Sequence, residues 1–190
     1  NNKYITFGSF NNFNKINLNV VEVWSKILKN VKNSKLILKS SRTINIDKLK
    51  ELFKKNDVLE SVSFLERNLS FEEHLRLYQK IDIGLDTFPY NGVTTSFEAI
   101  WMNVPILTMK GFNFNSRCGE SINKNIGINY LIAKDEREYI DKAIELSKDV
   151  EKLTRIRNKI FNEVAPSSLF DKKKFSLEFF KSLETAYNQL

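Results

Sequence analysis

The chain has 190 residues, 42% hydrophobic and 28% charged, with 30 Lys+Arg against 23 Asp+Glu and a net charge of +7. That length supports one domain or two small ones with a real core, and no apolar run is long enough to span a bilayer. One cysteine excludes an internal disulfide and fits a reducing, cytoplasmic setting. The positive balance raises nucleic acid or an anionic membrane as partners. Lysine, however, is scattered along the whole chain beside abundant Asn and Ile, a compositional bias rather than a basic face, so neither partner is expected. The chain opens at "NNKYITFGSF" without an initiator Met or a signal-peptide pattern, and is expected to be cut from a longer protein.

"YITFGSF" (4–10) alternates and reads as a first strand. After the polar loop "NNFNKIN", residues 18–31 place Leu18, Val21, Trp24, Ile27 and Leu28 at helical spacing. "SKLILKS" (34–40) is a second strand. Residues 44–56 form a helix with Asp47 as its N-cap, and 62–64 a short third strand. Ser70 with Glu73 makes a capping box ahead of "FEEHLRLYQK". "IDIGLD" (81–86) is a fourth strand, about 94–102 a helix, and "PILTM" a fifth strand. Residues 117–127 form a short helix with a Gly stop, and "NYLIA" (129–133) a sixth strand. Asp135 with Glu138 caps a helix to about Lys148. Helices alone follow from Val150, broken near "APSS" (165–168), the last from Asp171 to Gln189.

Strands alternating with helices predict an α/β fold, a doubly wound parallel sheet covered on both faces. Residues 1–165 would form this domain, and 166–190 a C-terminal helix packing on it or on a part of the protein outside this chain. Ligands of such sheets bind beyond the carboxyl ends of the strands, which points to loops 8–17, 65–70, 86–93 and 109–116.

The stretch "NGVTTSFE" (91–98) follows the fourth strand. The first turn of a helix leaves N–H groups unpaired and carries the positive end of the dipole. Thr94 and Thr95 there, reached through Asn91-Gly92, suit a phosphate. Gly92 permits close backbone approach or a positive φ. Glu98 lies one turn on from Thr94, on the same face, where a carboxylate can accept from a pair of ribose hydroxyls. The same residues also fit a purely structural use, because Thr95-x-x-Glu98 is a capping box and Asn-Gly an ordinary turn. Lys15 follows the first strand on the same edge and can meet a phosphate as a point charge, or serve as one solvated lysine among many. His74, the one histidine, can stack on a base or bond a phosphate, or sit on a helix surface. There is no zinc spacing, no Walker A loop, no G-x-G-x-x-G, no metal-holding D-x-D and no G-x-S-x-G elbow. A phosphate site here would rely on Lys, helix N-termini and backbone, without metal or other cofactor.

"FGSFNNFNKIN", "LERNLSFEEH", "DTFPYNGVTTSFEAIWMNVPILTMKG" and "SRCGESINKNIGINYLIAKDEREY" resemble, in order and spacing, the carboxyl-terminal half of the O-linked N-acetylglucosamine transferases, including SPINDLY-like and bacterial tetratricopeptide-repeat relatives. The resemblance runs from about residue 4 to the end and is most specific over 86–111. It implies one Rossmann-like half of a GT-B glycosyltransferase, the half that holds the nucleotide of a UDP-sugar. By position, Lys15 matches a lysine contacting the donor phosphates, and Asn12 replaces a glutamine reaching the same region. Leu69 falls where a backbone contacts uracil, and His74 matches a histidine stacked on the base. Thr94 and Thr95 match the phosphate-binding pair, and Glu98 an acidic residue on the ribose. Val93 stands where the animal enzymes carry a histidine, and Phe71 where they carry a ribose-contacting lysine.

The resemblance thus implies an inverting, metal-independent glycosyltransferase acting on protein Ser/Thr with N-acetylglucosamine or another hexose. The acceptor-activating residues and the repeats belong to the amino-terminal part, so no catalytic residue is expected in this chain, which alone would bind nucleotide without transferring sugar and could self-associate. Another GT-B sugar-nucleotide enzyme such as an epimerase, a non-catalytic nucleotide-binding module and a nucleic-acid-binding surface are the rival readings.

Overall fold

A computed structural model describes residues 4–39, 46–65 and 70–189. Six parallel strands form one sheet: β1 (Thr6–Ser9), β2 (Lys35–Lys39), β3 (Val62–Leu65), β4 (Ile83–Leu85), β5 (Ile106–Met109) and β6 (Ile132–Ala133), in the order β3-β2-β1-β4-β5-β6. The expected doubly wound α/β fold is present. The chain builds outward from β1 to β3, returns to the centre, and builds outward again from β4 to β6. The reversal falls between β1 and β4, which pair through Phe7 with Ile83 and Gly8 with Gly84. The central strands are buried on both faces, so they read as apolar runs, with Phe7, Ile83, Leu85 and Leu107 all buried, while edge strand β3 is only half-buried.

The helices are α1 (Leu18–Asn30), α2 (Ile46–Lys55), α3 (Phe71–Leu77), α4 (Thr94–Trp101), α5 (Cys118–Asn125), α6 (Glu136–Lys148), α7 (Val150–Glu163) and α8 (Lys172–Tyr187). Against the sheet, α1 lies beside α2 and α6, while α4 lies beside α5. In α1, Val21, Trp24, Ile27 and Leu28 face the core as their spacing predicts. Leu18 does not: it opens the helix and is exposed.

Several boundaries move. The 129–133 segment yields only a two-residue strand, since Asn129–Leu131 closes into a 3-10 turn. Residues Tyr78–Lys80 likewise tighten into a 3-10 turn after α3. Asp47 lies inside the first turn of α2 rather than at its cap, because the helix already begins at Ile46. The Ser70–Glu73 capping box forms in full. Asp135 caps α6 by accepting from Glu138 N–H at 2.8 Å, and Gly127 ends α5 at φ +68°. No residue of α8 is buried, and Phe175, Leu177, Phe179, Phe180, Leu183 and Tyr187 are exposed on it. Among the described residues no helix is long and apolar enough to cross a membrane.

Candidate functional site

The order reversal brings the loop after β1 against the loop after β4. In open α/β sheets this is where a crevice forms. Lys15 closes a 3-10 turn (Phe13–Lys15) and reaches across, donating from Nζ to the Asn91 carbonyl oxygen at 2.8 Å and lying 4.1 Å from the centre of the Tyr90 ring. Burial pulls its pKa down, against the opposing pull of the Asp86 carboxylate. Asn17 ties the same two loops by donating to the Phe88 carbonyl at 2.9 Å.

Asp86, at the end of β4, organises the whole loop and was not singled out from the sequence. Its side chain is 1% exposed. Oδ1 accepts from the Gly92 N–H at 2.6 Å and the Thr87 N–H at 2.9 Å, closing residues 86–92 into a ring, and Oδ2 accepts from the Thr108 hydroxyl at 2.8 Å. Burial pushes its pKa up from 3.8 to about 6 despite these donors and the nearby Lys15. Asn91 is buried and donates to the Thr87 carbonyl at 2.9 Å. Gly92 has no positive φ; what it needs is space. A Cβ there would lie 2.7 Å from Ser96 Oγ, 2.8 Å from Thr95 Oγ1 and 2.9 Å from Asn11 Oδ1.

Helix α4 starts directly above this ring. Its cap position is Val93, which supplies no side-chain hydrogen bond, and its backbone (φ −121°, ψ −79°) is far from the extended cap conformation. The capping box read into Thr95 and Glu98 does not form. Among the described residues the N–H groups of Val93, Thr94 and Thr95 have no partner. Thr94 is exposed, and Thr95 donates its hydroxyl to Asn11 Oδ1 at 2.9 Å. So Asn11, rather than Asn12, touches the helix start. The Asn12 side chain is spent on its own turn, accepting from Asn14 N–H at 3.0 Å.

Glu98 turns away from the helix start because stronger partners lie across the fold. Its Oε2 meets His74 Nε2 at 3.0 Å and the Tyr78 hydroxyl at 3.0 Å. Phe10, His74 and Tyr78 pack together, with Phe10 4.6 Å from Tyr78 and 5.8 Å from His74, ring centre to ring centre. Burial, then the Glu98 charge, raises the Tyr78 pKa. Lys39, buried at the end of β2, feels the Glu98 carboxylate, while burial pulls its own pKa down. Sequence reading passed over Asn11, Lys39, Tyr78 and Asp86. Leu69 lies outside the described residues. Phe71 is exposed, as is Val93. Beneath the loops a cavity of about 20 Å³, lined by Ser9, Asn11, Asp86, Thr95 and Ser96 among others, has room for one water.

Uncapped N–H groups, the exposed Thr94 and a half-buried lysine come together at a strand-order reversal, an arrangement that could receive an anion, with the Glu98 carboxylate one turn on and His74 of α3 against it. The family model of Glycosyl transferase family 41 matches residues 1–179. The chain belongs to that family. Over its full length this family 41 domain is 36% identical to the tomato (Solanum lycopersicum) protein named probable UDP-N-acetylglucosamine–peptide N-acetylglucosaminyltransferase SPINDLY. Across 90% of its length it is 31% identical to the Caenorhabditis elegans UDP-N-acetylglucosamine–peptide N-acetylglucosaminyltransferase. The chain spans 20% of the first of these relatives and 15% of the second. The Thermobaculum terrenum O-GlcNAc transferase superposes over 99% of the chain with a TM-score of 0.86 at 30% identity, the chain covering 36% of it. Anabaena HepE, solved with UDP and glucose, superposes over 96% with a TM-score of 0.68 at 12% identity, a likeness of fold alone, the chain covering 48% of it. The fold is therefore one Rossmann-like half of a GT-B glycosyltransferase.

Proposed function

We propose that this domain binds the UDP-sugar donor of an inverting, metal-independent glycosyltransferase that transfers N-acetylglucosamine or another hexose to Ser or Thr of a protein. The observation that carries the reading is the open N-terminus of α4. Val93, Thr94 and Thr95 keep their N–H groups unpaired at the strand-order reversal, next to Lys15. The diphosphate would lie there. As the bond to the anomeric carbon breaks, charge would accumulate on the leaving diphosphate, and Lys15, the threonine hydroxyls and the α4 dipole would stabilise it in place of a metal. Glu98 would take the ribose hydroxyls. Both polar atoms of His74 are turned inward, Nε2 to Glu98 and Nδ1 into buried space without a partner, so the imidazole would offer the base only its face. Leu69 and Asn12 remain expected neighbours of the uracil and the phosphates. The activities for which the SPINDLY and Caenorhabditis elegans relatives are named support this donor and acceptor class.

Acceptor activation would come from an amino-terminal half, with repeats, outside this chain. We take 1–165 as the donor domain in the cytoplasm and 166–190 as the segment that docks on that half, since α8 buries nothing here. The test is calorimetric titration with UDP, with GDP and ADP as controls and Glu98→Ala as comparison. UDP binding that exceeds both controls and weakens in the variant supports the reading; a folded protein that binds no nucleotide refutes it.

A further inference from the structure

Glu98 is a carboxylate with one oxygen anchored and one offered. Oε2 takes both His74 and Tyr78, while Oε1 has no partner among the described residues, and the side chain is 17% exposed. The Tyr78 anchor is the more rigid. Its ring is 3% exposed and held between Phe10 at 4.6 Å and His74 at 5.5 Å, and its hydroxyl also lies 3.1 Å from the Thr95 carbonyl. The phenol carries a single proton with two acceptors in reach, Glu98 Oε2 and the Thr95 carbonyl in the first turn of α4. It thereby links the carboxylate to the helix start where the diphosphate would sit.

A glutamate on a helix surface samples many rotamers, and each hydrogen bond it makes to a ligand must recover that freedom. Fixed from behind, Oε1 is presented at one place and can accept from both hydroxyls of a vicinal diol. We infer that Tyr78 is a positioning residue that makes this site select ribonucleotides over 2′-deoxyribonucleotides, acting through Glu98. The inference rests on the nucleotide-binding reading above and deepens it. A site built around hydroxyl recognition disfavours the analogue that lacks one hydroxyl, because a hydrogen bond to a charged acceptor is then lost.

The experiment compares UDP with 2′-deoxy-UDP, and GDP with 2′-deoxy-GDP, on the intact protein, as wild type, Tyr78→Phe and Glu98→Ala. The wild type is expected to prefer the ribonucleotide by about tenfold or more. Tyr78→Phe keeps the packed ring and removes one oxygen. It should bring the ratio to within about threefold, by weakening the ribonucleotide while leaving the deoxy form unchanged. A merely structural tyrosine would weaken both alike and leave the ratio intact, which would overturn the inference. Glu98→Ala tests the same point without touching the buried phenol: discrimination that survives it overturns the inference too. A wild type that binds none of the four nucleotides overturns both the inference and the reading beneath it, and one that binds UDP or GDP without preference overturns the inference alone.

Discussion

Asp86→Asn separates the charge of the buried carboxylate from its hydrogen bonds. An amide fits the same space. Its oxygen can still accept from Gly92 and Thr87 N–H, now at Asp86 Oδ1, and its nitrogen would face the Thr108 hydroxyl, which can accept. What disappears is the desolvated charge. A rise in pKa from 3.8 to about 6 corresponds to about 3 kcal/mol held against the ionised form in the folded state. The sign follows from linkage. An acid whose folded pKa is raised stabilises the fold fully below 3.8, and that contribution is lost as the pH climbs through about 6. At pH 7 the wild type therefore carries the whole penalty, and Asp86→Asn should melt higher by ~6–12 °C, at about 2–4 °C per kcal/mol for a domain of this size. The gap should roughly halve by pH 5 and close near pH 3.5. Taking the difference between two proteins cancels the carboxylates of Glu73, Glu120, Glu138 and Glu145, whose pKa values are lowered by their partners and move stability the other way. Asp86→Ala removes charge and acceptors together, strands the Gly92, Thr87 and Thr108 donors, and should destabilise. Thermal melts from pH 3.5 to 8 decide it. An Asn variant that melts below wild type at pH 7 would show that charge-assisted bonds to the loop outweigh desolvation.

Three further outcomes are expected. Gly92→Ala places a methyl within 2.7–2.9 Å of Ser96, Thr95 and Asn11; it should cost about 1–3 kcal/mol by overpacking and weaken UDP by displacing Thr95, and calorimetry showing unchanged affinity would refute the placement. Lys15→Met keeps the stem and drops the charge, so UDP should weaken about tenfold or more and its binding should lose salt dependence, while uridine without phosphates is unaffected. Replacing Phe175 and Phe179 of α8 with Ser should leave the melting temperature unchanged, since nothing on α8 is buried, and should reduce self-association of the isolated chain in sedimentation.

What was legible in the sequence was local. The 3.6-residue spacing of Val21, Trp24, Ile27 and Leu28, the Ser70–Glu73 box and the Asp135 cap all act within one or two turns, and all appear as read. What escaped was non-local. Asp86 reads as a polar strand end, yet its partners include Thr108, 22 residues on, and Asn11, 75 residues back. Tyr78 reads as an apolar helix residue, and only the fold places its hydroxyl on Glu98, 20 residues away. The box at Thr95 fails because α4 already begins at Thr94 behind Val93, so Thr95 lies inside the first turn and not at its cap, and Glu98 bonds His74 and Tyr78 instead.

The open start of α4 is a property of its backbone and not only of its residue. Other helices are capped by side chains: Asn17 at φ −85°, ψ 177°, Ser70 at −58°, 161° and Asp135 at −151°, 175° all adopt the conformations that let a side-chain oxygen turn back onto the first turn. Val93 sits at −121°, −79°, held there because Asp86 fixes the Gly92 N–H and Lys15 fixes the Asn91 carbonyl just before it. A Ser introduced at an ordinary uncapped helix start gains about 1 kcal/mol. Val93→Ser should gain almost nothing, because its hydroxyl cannot reach the Thr95 or Ser96 N–H from that backbone. A melting temperature raised by ~2–4 °C, together with lost nucleotide affinity, would mean that the loop relaxes into a cap and that the N–H groups are not held open. No gain, with UDP binding retained, would mean that the ring closed by Asp86 presets the phosphate site before any ligand arrives, and that its cost in stability is borne by the fold in exchange for a site that need not reorganise.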